Sequence, residues 1–472
     1  MFINKKKLGH IIDGKSSETV ILPPPIARQI NRRQLLTGGV SIAAMASLGD
    51  LLNPVAKAQT AAGDFTVQRK LVWINLRGGW DILESVDPKA ASTSGIDVSY
   101  PWAQAHTITG SSEKLGRWMP NLAALGNDVL PIRGVMMQTT SHMAGSIYME
   151  TGILSNNGRV NAASIPAIVA SESKQDVIIP IIQLSGGSTP MLDRGIPKVS
   201  TVRAQNLDLY RRMYPGNDSE KQVQLAVLNY LKNSITAQAQ RYGENNDRYD
   251  SVVAAESKIR SQIEENVSEK MQISDSDRSP YSNAMSSSGL NGNAGVDAFA
   301  LAGKLIKQDI VNVVTLGFGG FDTHANQTAR LQGTMQRVDA LVAALASDLK
   351  SANKLDNTLI VLYSDFSRTP KINNSNGRDH WPVGGSMFVG GGIQGGRAVG
   401  ASDDNMQSIA VNYTTGALTE ATTDDAEDTT QGFIKPTHVG GSVLELCLGQ
   451  NYLDLRTYLQ SPPILTQLKS SG

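Results

Sequence analysis

The sequence predicts an α/β protein with a mostly parallel central sheet, helices on both faces and a helical insertion. Three observations favour this fold class. Apolar runs of strand length alternate with helical patterns, the runs are almost continuously apolar, and glycine (44 residues) is abundant while aromatic residues (5%) are sparse. Near-continuous apolar strands are typical of parallel sheets, because helices cover both faces of such sheets.

Six apolar runs of strand length occur along the chain. They are LVWINL (71–76), DVLPIRGV (128–135), VIIPIIQL (177–184), VNVVTLGF (311–318), NTLIVLYS (357–364) and SMFVGGG (386–392). Helical patterns cover 120–127, 141–152 and 326–350. Apolar residues in the last of these are spaced by three and four and predict one buried stripe, formed by Leu331, Met335, Val338, Val342, Leu345 and Leu349.

The segment 204–295 differs because helical patterning and high charge continue there without an intervening strand. We interpret it as a helical insertion within a single α/β domain that spans 59–472. A solvated helical hairpin and a substrate lid are both open as its role. The Ser/Asn/Gly-rich stretch 274–295 predicts a mobile loop, and the acidic stretch 402–430 predicts a surface loop or hairpin.

Residues 1–58 have the pattern of an export signal. Arg32 and Arg33 precede a weakly apolar segment, and the sequence AKA at 56–58 places small residues two apart, as a signal peptidase requires. This pattern resembles a twin-arginine signal, so we expect a periplasmic or extracellular protein that uses the twin-arginine export machinery. An ordinary secretory signal is the alternative. The apolar segment is too short and too interrupted for a stable membrane span.

The composition and motifs exclude several classes of protein. Lys and Arg together number 43, as do Asp and Glu, so we expect no general affinity for nucleic acid or anionic membranes. Cys447 is the only cysteine of the chain, which excludes an intrachain disulfide and a thiolate metal cluster. We expect Cys447 to fill core space. The glycine clusters match neither the Walker nor the Rossmann spacing, so no nucleotide cofactor is expected.

An acidic residue follows each of three apolar strands: Asp81, Asp322 and Asp365. In an open parallel sheet the carboxyl ends of the strands line the ligand crevice. Carboxylates gathered there repel one another and raise each other's pKa values, and a bound divalent cation removes that cost. This pattern therefore predicts a metal site.

Histidines strengthen this prediction. His324 lies two residues after Asp322, so an extended backbone points both side chains to one side. His142 follows the second strand at a helix start, and His380 follows Asp365 in a polar loop. Asp and His together suit zinc or manganese, whereas sites dominated by carboxylates suit magnesium or calcium. Any one of these residues taken alone is better explained as a structural hydrogen-bonding group, but jointly they favour a site.

Five sequence blocks occur in a fixed order: LRGGWD, TSHMAG, GFGGFDTHANQ, YSDFSRTP and RDHWPVGGSMFVGGG. Together they resemble the bacterial domain-of-unknown-function 1501 family over about 71–459. Proteins of that family are typically exported by the twin-arginine route and are often described as sulfatase-like. The family is similar to the alkaline phosphatase and sulfatase superfamily, which implies an alkaline phosphatase-like fold with one or two metals at the carboxyl edge of the sheet.

The resemblance implies two metal positions, the first with one carboxylate and two histidines and the second with two carboxylates. In that order the ligands are Asp322, His324 and His380, and then Asp81 and Asp365. The superfamily has histidine directly after the aspartate at the position of Asp365, whereas Phe366 stands here. One ligand of the second metal is therefore missing unless His142 replaces it. Zinc is the expected metal, with manganese, magnesium or calcium as alternatives.

The nucleophile that the resemblance implies is a hydroxyl group at the helix start after the second strand. The catalytic candidates are therefore Ser141, Thr140 and His142. Arg77 and Arg368 flank two of the proposed ligands and are the candidates for binding an anionic substrate, although pairing with neighbouring carboxylates explains them equally well. The chain has no Cys-x-Pro/Ser-x-Arg formylglycine motif, so a sulfatase of the usual kind is not expected.

Two functions follow from these expectations. The first is an exported, metal-dependent hydrolase of phosphate or sulfate esters that acts on a small anionic ester. In that enzyme the metal lowers the pKa of the nucleophile and neutralises charge on the transferred group. The alternative is a periplasmic or surface binding protein that retains the alkaline phosphatase-like fold with weakened or no catalysis.

Overall fold

The computed structural model of the chain describes residues 2–4, 19–21, 68–155, 162–175, 177–187, 201–203, 217–242, 256–257, 259–420, 430–449, 465 and 468. The paired arginines at 32–33 and the predicted cleavage site at 56–58 lie outside these residues. Short antiparallel strands at Phe2–Asn4 and Thr19–Ile21 pair with each other.

A seven-stranded sheet forms the centre of the fold. Its strands are β1 (Lys70–Leu76), β2 (Val129–Met136), β3 (Ile179–Gln183), β4 (Thr201–Arg203), β5 (Val311–Phe318), β6 (Thr358–Tyr363) and β7 (Val383–Gly390). The six predicted strands are confirmed with small shifts at their ends, and β4 is an addition. Shorter strand pairs join His106–Thr107 to Lys114–Leu115, Ser367–Arg368 to His380–Trp381, and Val411–Asn412 to Gln431–Gly432.

The strand order is β2-β7-β6-β1-β5-β3-β4. β1 pairs in parallel with β5 and with β6, and β3 pairs in parallel with β5 and with β4. β7 is antiparallel to both of its neighbours, β6 and β2. The predicted mostly parallel sheet is therefore confirmed. Because β1 lies between β5 and β6, the loops that leave the carboxyl ends of these three strands are neighbours.

The described α-helices fall between and after these strands. They are α1 (Pro120–Ala124), α2 (His142–Thr151), α3 (Ile165–Glu172), α4 (Asp218–Tyr242), α5 (Val267–Lys270), α6 (Asp275–Ser287), α7 (Val296–Lys307), α8 (Gln327–Ser351) and α9 (Pro436–Leu448). Residues 259–264 are helical as well. None of the described helices combines the length and the apolar character that crossing a bilayer requires.

The chain divides into two compact units. One comprises 1–58, 197–200 and 204–272, and it contains α4 and α5. The other comprises 59–196, 201–203 and 273–472, and it contains the central sheet and the remaining labelled helices.

Helices cover both faces of the sheet. α2, α3 and α9 pack against one another, and α3 lies against β1, β3 and β5. α1, α6, α7 and α8 form a second group, in which α7 lies against β5. Every residue of β1 is buried. A central strand is buried along its whole length only when both faces of its sheet are covered.

The apolar stripe predicted for α8 is confirmed. Its six residues, Leu331, Met335, Val338, Val342, Leu345 and Leu349, are each at most 1% exposed. Burial of one such side chain stabilises the fold by about 1.5–3 kcal/mol. Met335 also accepts the indole N–H of Trp80 at 3.3 Å, which ties α8 to the loop after β1.

The predicted mobile loop at 274–295 was wrong for most of its length, because 275–287 form α6. Ser274 and Asp277 make a capping box, in which each side chain accepts the backbone N–H of the other residue. Tyr281 and Met285, four residues apart, are buried on one side of the helix. The Ser- and Asn-rich composition is typical of a loop, whereas the capping box and this apolar pair determine the helix.

Cys447 lies fully buried in α9. Burial raises the pKa of its thiol to about 12, so the group is neutral at physiological pH. A neutral buried thiol behaves as a small apolar side chain, in agreement with the predicted role as core filler. The sequence predicted a surface loop or a hairpin for the acidic stretch 402–430. Residues 411–412 pair antiparallel with 431–432, in agreement with the hairpin, while 421–429 lie outside the described residues.

Candidate metal site

Loops that carry carboxylates meet at the carboxyl edge of the sheet. On the two sides of β1, Asn75 is level with Gly317 of β5 and with Tyr363 of β6. Asp322 follows β5 and Asp365 follows β6, so the parallel register brings their loops together with the loop after β1. This is the edge at which open parallel sheets bind ligands.

Three imidazole rings surround the carboxylate of Asp322. Their Nε2 atoms lie 3.0 Å (His324), 3.6 Å (His380) and 3.7 Å (His142) from its Oδ1 atom. The Nε2 atoms of His324 and His380 are 3.1 Å apart. Side chains from the β5–α8 loop, the β6–β7 loop and the start of α2 therefore converge on one carboxylate oxygen. Among them, His142, Asp322 and His380 have ligand atoms that all lie within 4.8 Å of one another and could hold one ion.

The other ring nitrogen, Nδ1, is hydrogen-bonded in all three histidines. His142 lies beside the carboxylate of Asp365, His324 beside Asp379 at 2.7 Å, and His380 beside the carbonyl oxygen of Thr140 at 2.8 Å. These partners are acceptors, so each Nδ1 carries the hydrogen and donates it. In the neutral ring the lone pair is then on Nε2, the atom that faces Asp322.

This donor set fits a divalent cation. Two neutral imidazoles whose Nε2 lone pairs face each other at 3.1 Å repel, and a cation between them converts the repulsion into coordination. Three imidazole nitrogens and one carboxylate oxygen are ligands that zinc accepts. The side chains are 26–52% exposed, so an ion can reach them from solvent.

Neighbouring charges shift the pKa values of these groups. The hydrogen bond to Asp365 raises the pKa of His142, and burial opposes part of that shift. Burial alone would raise the pKa of Asp322, but the hydrogen bond and charge of Arg368 hold it below its usual value. The hydrogen bond from His324 lowers the pKa of Asp379. Both exposed carboxylates are therefore ionised at neutral pH.

Asp365, predicted as a metal ligand, is the hydrogen-bond acceptor of His142. Its Oδ1 atom accepts the N–H of Gly79 at 2.7 Å and the hydroxyl of Ser364 at 2.8 Å, and its Oδ2 atom accepts from His142. Burial would raise the pKa of Asp365, but the hydrogen bonds from His142 and Ser364 hold it below the usual range. Asp365 thus orients His142 and is not one of the groups that converge on the Oδ1 atom of Asp322.

Asp81, the other residue assigned to a second metal, has different partners. It is 1% exposed. Its carboxylate accepts the N–H of Leu83 at 2.9 Å and a side-chain N–H of Gln327, and it forms an ion pair with Arg378 at 3.3 Å. The structure therefore does not place Asp81 with the histidines. It closes a turn after β1 and neutralises a buried arginine.

The two arginines predicted to bind substrate lie in different environments. The side chain of Arg368 is 0% exposed and donates to Asp322 at 2.6 Å and to the carbonyl oxygens of Gly78 and Gly79. It is an internal ion-pair partner and does not reach solvent. Arg77 is exposed directly after β1, and its carbonyl oxygen accepts the N–H of Phe321, the residue before Asp322, at 3.3 Å.

The hydroxyl segment Thr139–Ser141 connects β2 to α2. The hydroxyl of Thr139 accepts the N–H of Ser141 at 3.2 Å, whereas Thr140 and Ser141 are exposed. Ser141 occupies the N-cap position of α2 without a side-chain capping bond. His380 donates to the carbonyl oxygen of Thr140, and His142 follows Ser141, so the residues on both sides of Ser141 are linked to the histidine cluster formed by His142, His324 and His380.

Glycines permit the close approach of these loops. A Cβ atom on Gly145 of α2 would lie 1.9 Å from the carbonyl oxygen of Asp365, and one on Gly377 would lie 2.1 Å from the carbonyl carbon of His324. Gly78 has φ +112°, and a Cβ atom there would lie 2.5 Å from the backbone nitrogen of Asp322. Any larger residue at these positions would separate the loops that carry the ligands.

Two residues that contact the imidazoles of the site, Asp379 and Phe366, were not predicted as site residues from the sequence. Asp379 binds His324, and its position next to His380 was the available signal. Phe366 is 1% exposed, and its ring centroid lies 4.6 Å from that of His142 and 4.5 Å from that of His380. Phe366 therefore packs against two of the three imidazoles.

Solved structures give weak likenesses to this chain. An alkaline phosphatase from the Antarctic bacterium TAB5 is 13% identical with a TM-score of 0.29, covering 72% of this chain and 96% of that one. A sulfatase from Pseudoalteromonas sp. is 12% identical with a TM-score of 0.30, covering 96% and 79%. The lipoteichoic acid synthase LtaP from Listeria monocytogenes is 9% identical with a TM-score of 0.31, covering 76% and 74%. Likenesses at TM-scores this low bear on neither the activity nor the ligands of this chain.

A comparison with curated proteins finds no match. The profile of the family described as "Protein of unknown function (DUF1501)" matches residues 68–422. That span is more than half of the chain and includes every residue of the histidine cluster. The chain belongs to the DUF1501 family.

Proposed function

We propose that this protein is a metal-dependent hydrolase of phosphate or sulfate esters, with its cation held by His142, Asp322, His324 and His380. One observation carries the proposal: three Nε2 atoms converge on a single oxygen of Asp322. Each ring has its Nδ1 hydrogen bonded to an acceptor, which is how proteins orient histidine ligands of metals. His142 is thus added to Asp322, His324 and His380, the first of the two ligand sets that the resemblance implied.

The donor set supports zinc as the metal. Three imidazoles with one carboxylate suit zinc, and manganese is the alternative, because both accept nitrogen and oxygen ligands. Magnesium and calcium favour oxygen ligands and are less suited to this set.

Residues around the cation have separate tasks in the proposed reaction. A bound cation supplies a Lewis acid that polarises the ester group. The exposed hydroxyl groups of Ser141 and Thr140 are the candidate nucleophiles, and the exposed Arg77 is the candidate for binding the anionic group of a substrate. Asp365 and Asp379 fix the orientation of His142 and His324.

The proposal includes export by the twin-arginine route to the periplasm or beyond. Its support is the sequence pattern of 1–58, in which paired arginines precede a weakly apolar segment. A protein that folds and acquires its metal before export is compatible with that route.

Elemental analysis of the purified full chain tests the metal site. We expect about one zinc or manganese ion per chain in the wild type and almost none in Asp322→Ala. This substitution removes the Oδ1 atom on which the three imidazole Nε2 atoms converge. Asp275→Asn is the matched control, since Asp275 is an exposed carboxylate at the start of α6 and outside the site. Asp81→Asn should also retain the metal. An unchanged metal content in Asp322→Ala would refute the site.

Turnover separates a hydrolase from a binding protein. Metal-loaded protein is assayed with aryl phosphate, aryl phosphodiester and aryl sulfate. We expect hydrolysis of at least one of them, with loss of activity in Asp322→Ala and in one of the variants Thr140→Val or Ser141→Ala. Metal binding without turnover of any ester would favour the alternative of a binding protein.

A further inference from the structure

The carboxylates at this edge of the sheet are largely neutralised by the protein itself. Asp81 is ion-paired with Arg378, and both side chains are at most 2% exposed. Asp365 binds His142 and backbone amides. Among these three carboxylates, Asp322 alone pairs with a fully buried side chain, that of Arg368, and is itself 52% exposed.

The internal partner of Asp322 is the guanidinium group of Arg368. Besides Asp322, this group donates to the carbonyl oxygens of Gly78, Gly79 and Arg378. One carboxylate and three carbonyl oxygens are a set of ligands that a hard cation would accept. Here the arginine fills that set, so the described part of the edge is left with a single group that could hold a metal ion.

The charge that faces solvent is correspondingly small. The positive charges are those of a divalent cation, of Arg368 and of the exposed Arg77, whose carbonyl oxygen accepts the N–H of Phe321 beside Asp322. Asp322, Asp365 and Asp379 carry the negative charges. With one divalent cation bound, the formal balance is a single positive charge. Because Arg368 is 0% exposed, it cannot contact a substrate and cannot supply a second point of attachment.

We infer that the site takes tetrahedral ester groups with one negative charge, phosphodiesters or sulfate esters, in preference to doubly charged phosphate monoesters. The inference rests on the metal site of the proposed function. A group with one charge is neutralised by the site, whereas a second charge on a dianion meets Asp379 and Asp322 without a second cation. Like charges at contact distance repel strongly enough to decide between the two classes.

Ligand binding measures this preference without turnover. Three probes each have a phenyl ring. Phenylphosphonate carries two negative charges at about pH 9, whereas its monomethyl ester and benzenesulfonate each carry one. Isothermal titration calorimetry on the metal-loaded full chain should give at least one singly charged probe a Kd about tenfold or more below that of phenylphosphonate. The ester against the sulfonate then separates a phosphodiester site from a sulfate ester site.

Two variants change the charge of the site in opposite directions. Asp379→Asn, measured at saturating metal, removes a negative charge and should narrow the gap between phenylphosphonate and the singly charged probes. Arg77→Gln removes a positive charge and should weaken all three probes. Asp275→Asn, which changes charge outside the site, should leave the ratio of Kd values unchanged.

The outcomes distinguish this inference from the proposed function. The metal content can be one ion per chain while phenylphosphonate binds as tightly as the other probes, or more tightly. That result would overturn the charge preference but would still support the metal site. Two ions per chain, or no binding of any probe by the metal-loaded protein, would also overturn it. Absence of bound metal would refute the proposed function itself.

Discussion

At the scale of single residues, the hydrogen bond on one imidazole nitrogen determines what the other nitrogen can bind. His324 illustrates this, since its Nδ1 donates to Asp379 and its Nε2 lies 3.0 Å from Asp322. An ionised acceptor makes the ring a stronger metal ligand and holds it in one orientation. Asp379 therefore acts on the metal ligand through its hydrogen bond to His324.

Asp379→Asn should lower the affinity for metal about 10–100-fold. Asparagine is uncharged and can present its NH₂ group to His324, which would favour the wrong tautomer. Competition against a chelator with known affinity measures the effect.

The thermal unfolding of metal-free Asp379→Asn should match that of the wild type, because the side chain of Asp379 is 56% exposed. Asp379→Glu retains the charge and should recover part of the affinity. An Asn variant that binds metal as tightly as the wild type would show that the hydrogen bond to His324 has no influence on the ligand.

The sequence pointed to Asp322, His324 and His380 because strand ends and two-residue spacing limit where those side chains lie. It could not separate Asp81 from His142 as a ligand. The direction of Asp81 is set by Arg378 and by Gln327, which are remote in sequence. A pattern within one strand and its turn contains no information about such partners.

At the scale of elements, the loop between β6 and β7 is held at several points. Its carbonyl groups at Ser375 and Asn376 accept the N–H groups of Asn326 and Gln327 at the start of α8, at 3.0 and 2.9 Å. Arg378 donates to the carbonyl oxygen of Thr369 at 2.7 Å. The loop that carries Asp379 and His380 is thereby anchored before any metal binds.

Element prediction succeeded where a periodic pattern was long. Six of the seven strands of the central sheet and α8 follow directly from apolar runs and from three- and four-residue spacing, whereas β4 was not predicted. α6 was missed because its helix depends on a cap and on two buried residues among many polar ones. The direction of β7 was also beyond the sequence, since nothing local to a strand specifies antiparallel pairing.

Gly145→Ala tests how closely α2 must approach the loop after β6. The added Cβ would lie 1.9 Å from the carbonyl oxygen of Asp365, so α2 must move and take His142 with it. We expect a loss of about 1–3 kcal/mol in the free energy of unfolding, together with weaker metal binding. Urea unfolding and chelator competition provide the two measurements.

Gly333→Ala in α8 is the matched control, because a Cβ there would meet no atom within 4 Å. This substitution should be neutral or should stabilise the fold by about 0.5–1 kcal/mol. Equal behaviour of the two alanine variants would contradict a tight contact between α2 and Asp365.

At the scale of the whole molecule, buried ionisable groups couple stability to pH far from the candidate site. Asp339 of α8 is 1% exposed and accepts the N–H of Leu122 at 2.8 Å and that of Asn121 at 3.1 Å. It thus connects α8 to the start of α1. Burial raises the pKa of Asp339 to about 6, although these hydrogen bonds favour the ionised form.

This raised pKa predicts a fall in stability between about pH 4 and pH 6. The folded protein retains a proton on Asp339 that the unfolded chain, with its usual pKa of about 4, has already released. The contribution to stability is therefore fully present below about pH 4 and is lost as the pH rises through about 6. The expected loss is on the order of 2–3 kcal/mol.

Urea unfolding of the wild type and of Asp339→Asn at a series of pH values measures this loss. Asparagine does not titrate, so subtracting its profile removes the contributions of all other groups and leaves that of Asp339. The free energy of unfolding of the wild type should fall relative to the variant between about pH 4 and pH 6 and then stay level. Parallel profiles would mean that Asp339 keeps an ordinary pKa, and a relative rise would mean that the three N–H donors from Asn121 and Leu122 outweigh the cost of burial.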